Sequence, residues 1–215
     1  MDRWTLKKEL GRKTIHLMML LVIFVYFIFL KYFGHKTALF VLSIILVLML
    51  ELEYVRLELK MKLPLFSRLW EYRRKKEKKV LGADIFFMIG VVLCFAVFDV
   101  RVALTAVLMI IFGDIAAALI GKRFGRIWLL KKRALEGILA EFAIDVLIGF
   151  LFLRTSIWWL TSAAPSGMVI WPAVFIMAIV ATAVETLTTK INDNLLVPLF
   201  AGLAGQVVLL VLGLI

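Results

Sequence analysis

This chain has little of several things. Its single cysteine, Cys94, rules out an intrachain disulfide and a cysteine-based metal site. Cys94 lies inside an apolar run, where a thiol behaves as a small buried hydrophobe. Acidic residues are few, 15 against 26 Lys and Arg, for a net charge of +11. Polar residues are too scarce for a soluble domain: 64% of the chain is hydrophobic and the mean hydropathy is +1.03. A soluble domain is nearer half apolar, so an ordinary globule and a disordered chain are both excluded, and the main solvent is lipid. Alternating apolar and polar strands are missing too, which argues against a β-barrel. No repeat period stands out, and residues 1–215 are expected to form a single domain.

Long apolar runs are what the chain has in plenty. About 20 residues carry a helix across a bilayer core. Seven candidate spans follow: Thr14–Phe33, Thr37–Val55, Val80–Phe98, Val102–Gly121, Gly137–Leu153, Met168–Leu187 and Leu195–Ile215. The first is not followed by a small-residue cleavage motif and another apolar segment comes directly after it, so it is expected to stay as a span. The expected fold is an all-α integral membrane bundle of about seven transmembrane helices.

The placement of the charge orients that bundle. Five basic residues precede the first span, ten lie between spans two and three, six between spans four and five, and Lys190 between six and seven. Only Lys31, Lys36, Arg101 and Arg154 fall on the other side. By the positive-inside rule the basic face is cytoplasmic, with the N-terminus inside and the C-terminus outside. The ten include the basic stretch 56–79, where Leu63, Leu65, Phe66, Leu69 and Trp70 among the charges suggest an amphipathic helix lying on anionic lipid heads. The one long outer loop, Arg154–Gly167, carries Trp158 and Trp159, with Trp171 just beyond, as a headgroup belt would. Because the charge follows topology and no aromatics are grouped with it for base stacking, a nucleic-acid partner is not expected.

Ionisable residues inside spans are costly and therefore functional candidates. They are Glu51, Glu53, Asp84, Asp114, Glu136, Glu141, Asp145 and Glu185. Glu51 and Glu53 are close enough to a helix end to reach water, and Asp84, Asp114, Glu136 and Glu185 also lie near cytoplasmic ends. Glu141 and Asp145 go deeper, at i and i+4 on one helical face, with Gly137 one turn earlier. Buried, that face needs a cation, a proton or hydrogen-bond partners.

Three further constellations sit at the cytoplasmic ends. Glu9, Arg12, Lys13 and His16 form one stripe of the entering helix. Gly113, Ala117 and Gly121 are four apart beside Asp114, a small-residue face that allows close approach of a helix or ligand. That run leaves the membrane as Gly121-Lys122-Arg123-Phe124-Gly125-Arg126. In such a loop glycine admits phosphate close to the backbone, Lys and Arg neutralise it, and a nearby carboxylate can hold Mg²⁺ against it. It is not a Walker loop, since Gly-Lys-Ser/Thr is missing. Last, Glu185, Lys190, Asn192, Asp193 and Asn194 group acids and amides before Pro198, either a metal or hydroxyl site or a plain interhelical loop. All of these converge on one membrane face. A site there would meet a polyanion from the cytosol and a lipid from the bilayer.

At these residues the sequence resembles the family of dolichol kinases, phytol kinases and CTP-dependent diacylglycerol kinases, which phosphorylate lipid alcohols. The resemblance covers nearly the whole chain in order. It runs through Arg12-Lys13 and His16; through Gly113, Asp114, Ala117, Gly121, Lys122, Phe124 and Gly125; through Glu136-Gly137; and through Glu185, Asp193, Asn194 and Pro198. One departure is Arg133-Ala134, where the family has Lys followed by Ser or Thr, so a hydroxyl ligand is lost.

The resemblance implies a CTP-dependent kinase with Mg²⁺ as its metal. Segment 121–136 would be the nucleotide-binding loop. Asp114 would hold the metal with help from Glu136 or Asp193, while Lys122, Arg123 and Arg133 would neutralise the triphosphate. Arg12, Lys13, Gly113, Gly121, Gly125, Gly137 and Asn194 would complete the nucleotide site. Asp193 or Asp114 would take the alcohol proton, with His16 a weaker choice, and Glu141, Asp145 and Glu185 would serve the substrate or support the site. The expected acceptor is a polyisoprenoid alcohol. Diacylglycerol, a digeranylgeranyl glycerol or phytol would fit the same helices. A cytidylyltransferase making CDP-lipid and an ion-coupled transporter built on Glu141 and Asp145 are the competing activities. An oligomer is compatible with the small-residue stripes, which serve contacts within and between bundles alike.

Overall fold

A computed structural model describes residues 3–59, 80–129, 133–154, 170–188 and 191–215, with side chains from Leu17 onward. The basic stretch 60–79, Lys131, Lys132, Trp158, Trp159, Met168 and Lys190 lie outside the described residues, as do the side chains of Glu9, Arg12, Lys13 and His16.

Seven helices occur among the described residues. They are α1 (Arg3–Phe33), α2 (His35–Leu57), α3 (Ala83–Val97), α4 (Val100–Phe124), α5 (Leu135–Arg154), α6 (Trp171–Leu187) and α7 (Asp193–Val211). Three are long and apolar enough to cross a membrane: α2, α4 and α7. Leu17–Phe33, α3 and α6 are shorter apolar helices. The architecture is that of an all-α membrane protein.

Local chemistry sets the boundaries. Asp99 ends the third span and starts the fourth: its carboxylate accepts from the Arg101 amide at 2.9 Å and so caps α4. α3 has 15 residues and is shorter than the expected Val80–Phe98, mainly because it starts at Ala83. Asn192 caps α7 in the same way, its side chain accepting from the Asn194 amide at 3.1 Å. α7 therefore starts two residues earlier than expected, and it stops at Val211, before Gly213 at φ 66°. One feature departs from the all-α expectation. Between α4 and α5, β1 (Trp128–Leu129) and β2 (Arg133–Ala134) pair antiparallel, with Trp128 opposite Ala134 and Leu129 opposite Arg133.

The chain divides into two compact units, Met1–Val92 and Leu93–Ile215. In the first, α1 packs on α2. Tyr26 on α1 is fully buried, and its hydroxyl meets His35 Nδ1 on α2 at 2.9 Å. At the other end of α2, Glu53 is not water-exposed as its position suggested. It is 2% exposed, and it accepts from Arg56 Nε at 3.0 Å, from Arg56 Nη2 at 2.6 Å and from the Gly82 amide at 2.9 Å.

In the second unit α4, α5, α6 and α7 close a ring: α4 packs on α5, α5 on α6, α6 on α7 and α7 on α4. Every residue of α4 from Arg101 to Ile111 is buried. Apolar burial drives little association in lipid, so close backbone approach and polar contacts must hold such a ring. Trp171 does lie at one end of the bundle, stacked between Phe150 at 5.0 Å and Phe175 at 5.5 Å. Cys94 is buried, as its apolar surroundings required.

Candidate functional site

The α4–α5 contact is built on glycine. A Cβ on Gly137 would lie 2.8 Å from the Ala117 carbonyl and 3.0 Å from Gly121 Cα. A Cβ on Gly121 would lie 3.3 Å from Gly137 Cα. The stripe Gly113, Ala117, Gly121 is thus the seam against which α5 runs. One turn beyond, a Cβ on Gly125 would collide with the Gly121 carbonyl and with Ala134. Ala134 is 3% exposed there. The position where a Ser or Thr is expected by resemblance is packed against glycine in this chain.

The seam fixes the register of the charged residues. With Gly121 opposite Gly137, Gly113 falls opposite Glu141 and Asp145: its hypothetical Cβ lies 2.7 Å from Asp145 Oδ1 and 3.2 Å from Glu141 Cγ. Asp114 is therefore level with that pair. It is ten residues from the end of α4, roughly 15 Å along the axis, rather than at the helix end as the sequence suggested. Asp114 is half-buried, with half-buried Ala117 and Ala118 one turn further along α4.

Arg133 reaches from β2 into this region. Its Nη1 donates to Glu141 Oε2 at 3.1 Å and its Nη2 to Glu185 Oε1 at 2.6 Å. The guanidinium thereby ties α5 to α6. Burial works against its charge, but Glu185 and Glu141, with Asp114 behind them, more than offset this and hold its pKa above the ordinary value. One arginine does not satisfy this set. Glu141 and Asp145 are each 1% exposed. Glu141 Oε1, Asp145 Oδ1 and Thr182 Oγ1 have no hydrogen-bond partner among the described residues.

The loop above is basic and open. Lys122, Arg123 and Arg126 are exposed at the C-terminal end of α4, where the helix dipole favours cations. Arg123 lies over the Phe124 ring at 5.3 Å. Glu136 belongs to this loop. Its Oε1 accepts from the amides of Arg126 at 2.9 Å and Ile127 at 3.4 Å, pinning the turn after Gly125. Its own main-chain amide, then those two, hold its pKa below the usual carboxylate range.

The structure therefore brings together Asp114, Arg133, Glu141, Asp145 and Glu185, with Gly113 against them. It leaves Glu136 one to two turns away along α5. Asp193 is on a different helix, with its Oδ1 accepting from the Asn194 amide at 3.0 Å, and Asn194 itself is 4% exposed. Among the described residues no three His, Cys, Asp or Glu side chains are arranged to hold a metal ion unaided. Mg²⁺ does not demand such a cage, because it keeps several waters and takes one or two carboxylates plus substrate phosphates. Half-buried Asp114 fits that role. Thr182 escaped the sequence reading. Its signal was a hydroxyl three residues before Glu185, on the same side of a helix.

One similar protein carries an informative name. Over 112 residues the chain is 29% identical to CTP-dependent diacylglycerol kinase 1 of Schizosaccharomyces pombe. The match covers 49% of this chain and 49% of that protein, so the chain spans about half the length of the curated relative it matches. No family model matches, and no solved structure matches.

Proposed function

We propose that this protein is a CTP-dependent lipid-alcohol kinase working at a membrane surface. One observation carries the reading. The α4–α5 pair sets an exposed basic rim, Lys122, Arg123 and Arg126, above an acid-lined interior that begins at Asp114. The rim suits a triphosphate, and the apolar flanks suit a lipid. The name of the similar yeast protein supports the same reaction. The basic charge distribution supports a cytoplasmic active site, an inward N-terminus and an outward C-terminus.

In this reading Lys122 and Arg123 bind the triphosphate. Arg133 holds the interior carboxylates rather than serving as a free phosphate ligand. Asp114 is the metal carboxylate; Mg²⁺ bound there would neutralise charge on the phosphates during transfer. Glu136 shapes the loop. The alcohol oxygen forms a bond to the γ-phosphorus, the bond to the β-phosphate oxygen breaks, and the alcohol proton passes to a carboxylate. CDP and a lipid phosphate leave. A polyisoprenoid alcohol and diacylglycerol both fit as acceptor, the yeast name favouring the second.

The test uses purified protein with γ-labelled CTP or ATP, Mg²⁺ and a panel of lipid alcohols. Label should pass from CTP into a lipid and drop at least a hundredfold in Asp114→Asn. Label in no lipid, with wild type and Asp114→Asn alike, would sink the reading. Release of pyrophosphate would identify a cytidylyltransferase instead.

A further inference from the structure

The loop between α4 and α5 carries side chains that a loop in water would not. Phe124 is 54% exposed, Ile127 56%, Trp128 57% and Leu129 41%. Within a span an exposed leucine simply faces lipid, but these four lie at or beyond the last residue of α4. Exposed apolar side chains gathered in one place mark a contact with something apolar. Neither the basic rim nor the interior carboxylates account for them.

Helix length and hydrogen bonds fix the depth of this loop. α4 has 25 residues, roughly 37 Å at 1.5 Å per residue, against about 30 Å for a hydrocarbon core. Its ends therefore reach the headgroup layers, and the loop starts there at Gly125. It does not stand out into water from that point. The Leu135 amide donates to the Ile127 carbonyl at 2.8 Å, Glu136 Oε1 accepts from the Arg126 and Ile127 amides, and β1 pairs with β2. These bonds fold the hairpin back on the first turn of α5 and keep 126–129 close to the helix ends. Charge then selects the partner. Arg126 is exposed next to Ile127, with Lys122 and Arg123 exposed one turn earlier. Apolar side chains interleaved with cations fit the bilayer boundary, where rings and methyl groups meet acyl chains and guanidinium groups meet lipid phosphates. The apolar fringe continues at the neighbouring helix ends: Leu187 closing α6 is 69% exposed and Ile191 before α7 is 58% exposed. A fringe spread over several helix ends suits a surrounding bilayer better than a protein docked on one side. Trp171, at the start of α6, lies at the opposite end of the ring from Trp128, so an indole marks each interface.

We infer that residues 126–129 form an interfacial anchor whose partner is an anionic lipid surface. Ile127, Trp128 and Leu129 insert among the lipid heads, and Arg126 pairs with lipid phosphate. The contact holds whatever reaction the loop serves. It keeps the segment that carries Lys122 and Arg123 down on the membrane.

The experiment uses the full chain in vesicles of phosphatidylcholine and phosphatidylglycerol. Trp128 is read as the difference in emission between wild type and Trp128→Phe, a variant that keeps an apolar ring. With phosphatidylcholine brominated high on its acyl chains, that difference should fall several-fold, whereas acrylamide in the water should change it little. Bromine near the chain ends should quench it less, which places the indole at the interface. Ile127→Asp with Leu129→Asp should reverse the pattern, opening Trp128 to acrylamide. Leaving out phosphatidylglycerol should weaken quenching by the brominated lipid in wild type and by much less in Arg126→Gln. A difference signal that acrylamide quenches and brominated lipid does not overturns the anchor. A signal that responds to added CTP and not to brominated lipid also overturns it, making Trp128 a stacking surface for the base. Quenching that is the same with and without phosphatidylglycerol overturns the pairing of Arg126 with lipid phosphate. Phosphoryl transfer with Trp128 in water removes the anchor alone. Trp128 in lipid without phosphoryl transfer removes the kinase reading alone.

Discussion

Among the described residues two arginines meet buried carboxylates, and they do so differently. At the end of α2, Arg56 and the Gly82 amide supply donors to both oxygens of Glu53. Arg56 Nη2 also donates to the Val80 carbonyl at 2.9 Å, tying the end of α2 to Val80. The set is closed and balanced. In the α4–α7 ring, Arg133 spreads one positive charge over Glu141 and Glu185, with Asp114 and Asp145 close by. Oxygens are left unmatched. A buried ion pair with every acceptor used is a fastener. One with more acids than its arginine can neutralise is not a simple fastener.

Breaking the open set should produce the largest effect. Arg133→Met leaves Glu141 and Glu185 buried without their cation, and should cost about 3 kcal/mol of stability, toward the low end for a buried pair because the Arg133 side chain is 24% exposed. Thermal unfolding in detergent measures it. Replacing the whole set, Arg133→Met with Glu141→Leu and Glu185→Leu, should recover most of that stability and still show no lipid phosphorylation. If the triple variant is active, the open set is only another fastener.

The closed set comes next. Glu53→Gln removes the charge that Arg56 neutralises, and should cost about 2 kcal/mol with turnover per folded molecule unchanged. A loss of turnover beyond the loss of folded protein would erase the contrast between the two arginines.

The smallest effect concerns the loop. The Glu136 carboxylate has a folded pKa below its unfolded one. Its contribution is therefore present above the unfolded value and is lost as pH falls through the folded value, below the usual carboxylate range. Hydrogen exchange at the Arg126 and Ile127 amides should accelerate only in that acidic window. Glu136→Gln should remove most of this pH dependence, and an unchanged profile would show that Glu136 does not hold the loop.

Much of this was legible in the sequence. Seven apolar runs are matched by seven helices among the described residues, because in lipid the backbone must satisfy its own hydrogen bonds. The small-residue stripe at 113, 117 and 121 and the i, i+4 pair Glu141–Asp145 were both readable as faces. What the stripe faced was not. The partner glycine at 137 lies sixteen residues beyond Gly121, across a hairpin whose two-residue strands leave no periodic signal. That register moves Asp114 from the helix end to the level of Asp145. Glu136 looked like a metal ligand because a carboxylate at a helix start does; its use by two backbone amides is a matter of loop shape. Glu53 looked wet because it is near a helix end, but its partners Arg56 and Gly82 are separated by 26 residues.

The contact between Gly121 and Gly137 has one more consequence. Two backbones that nearly touch form a sealed edge: no hydrocarbon chain can slip between α4 and α5 along that stretch. On the lipid-kinase reading, a tail would have to reach the site from a side other than this seam.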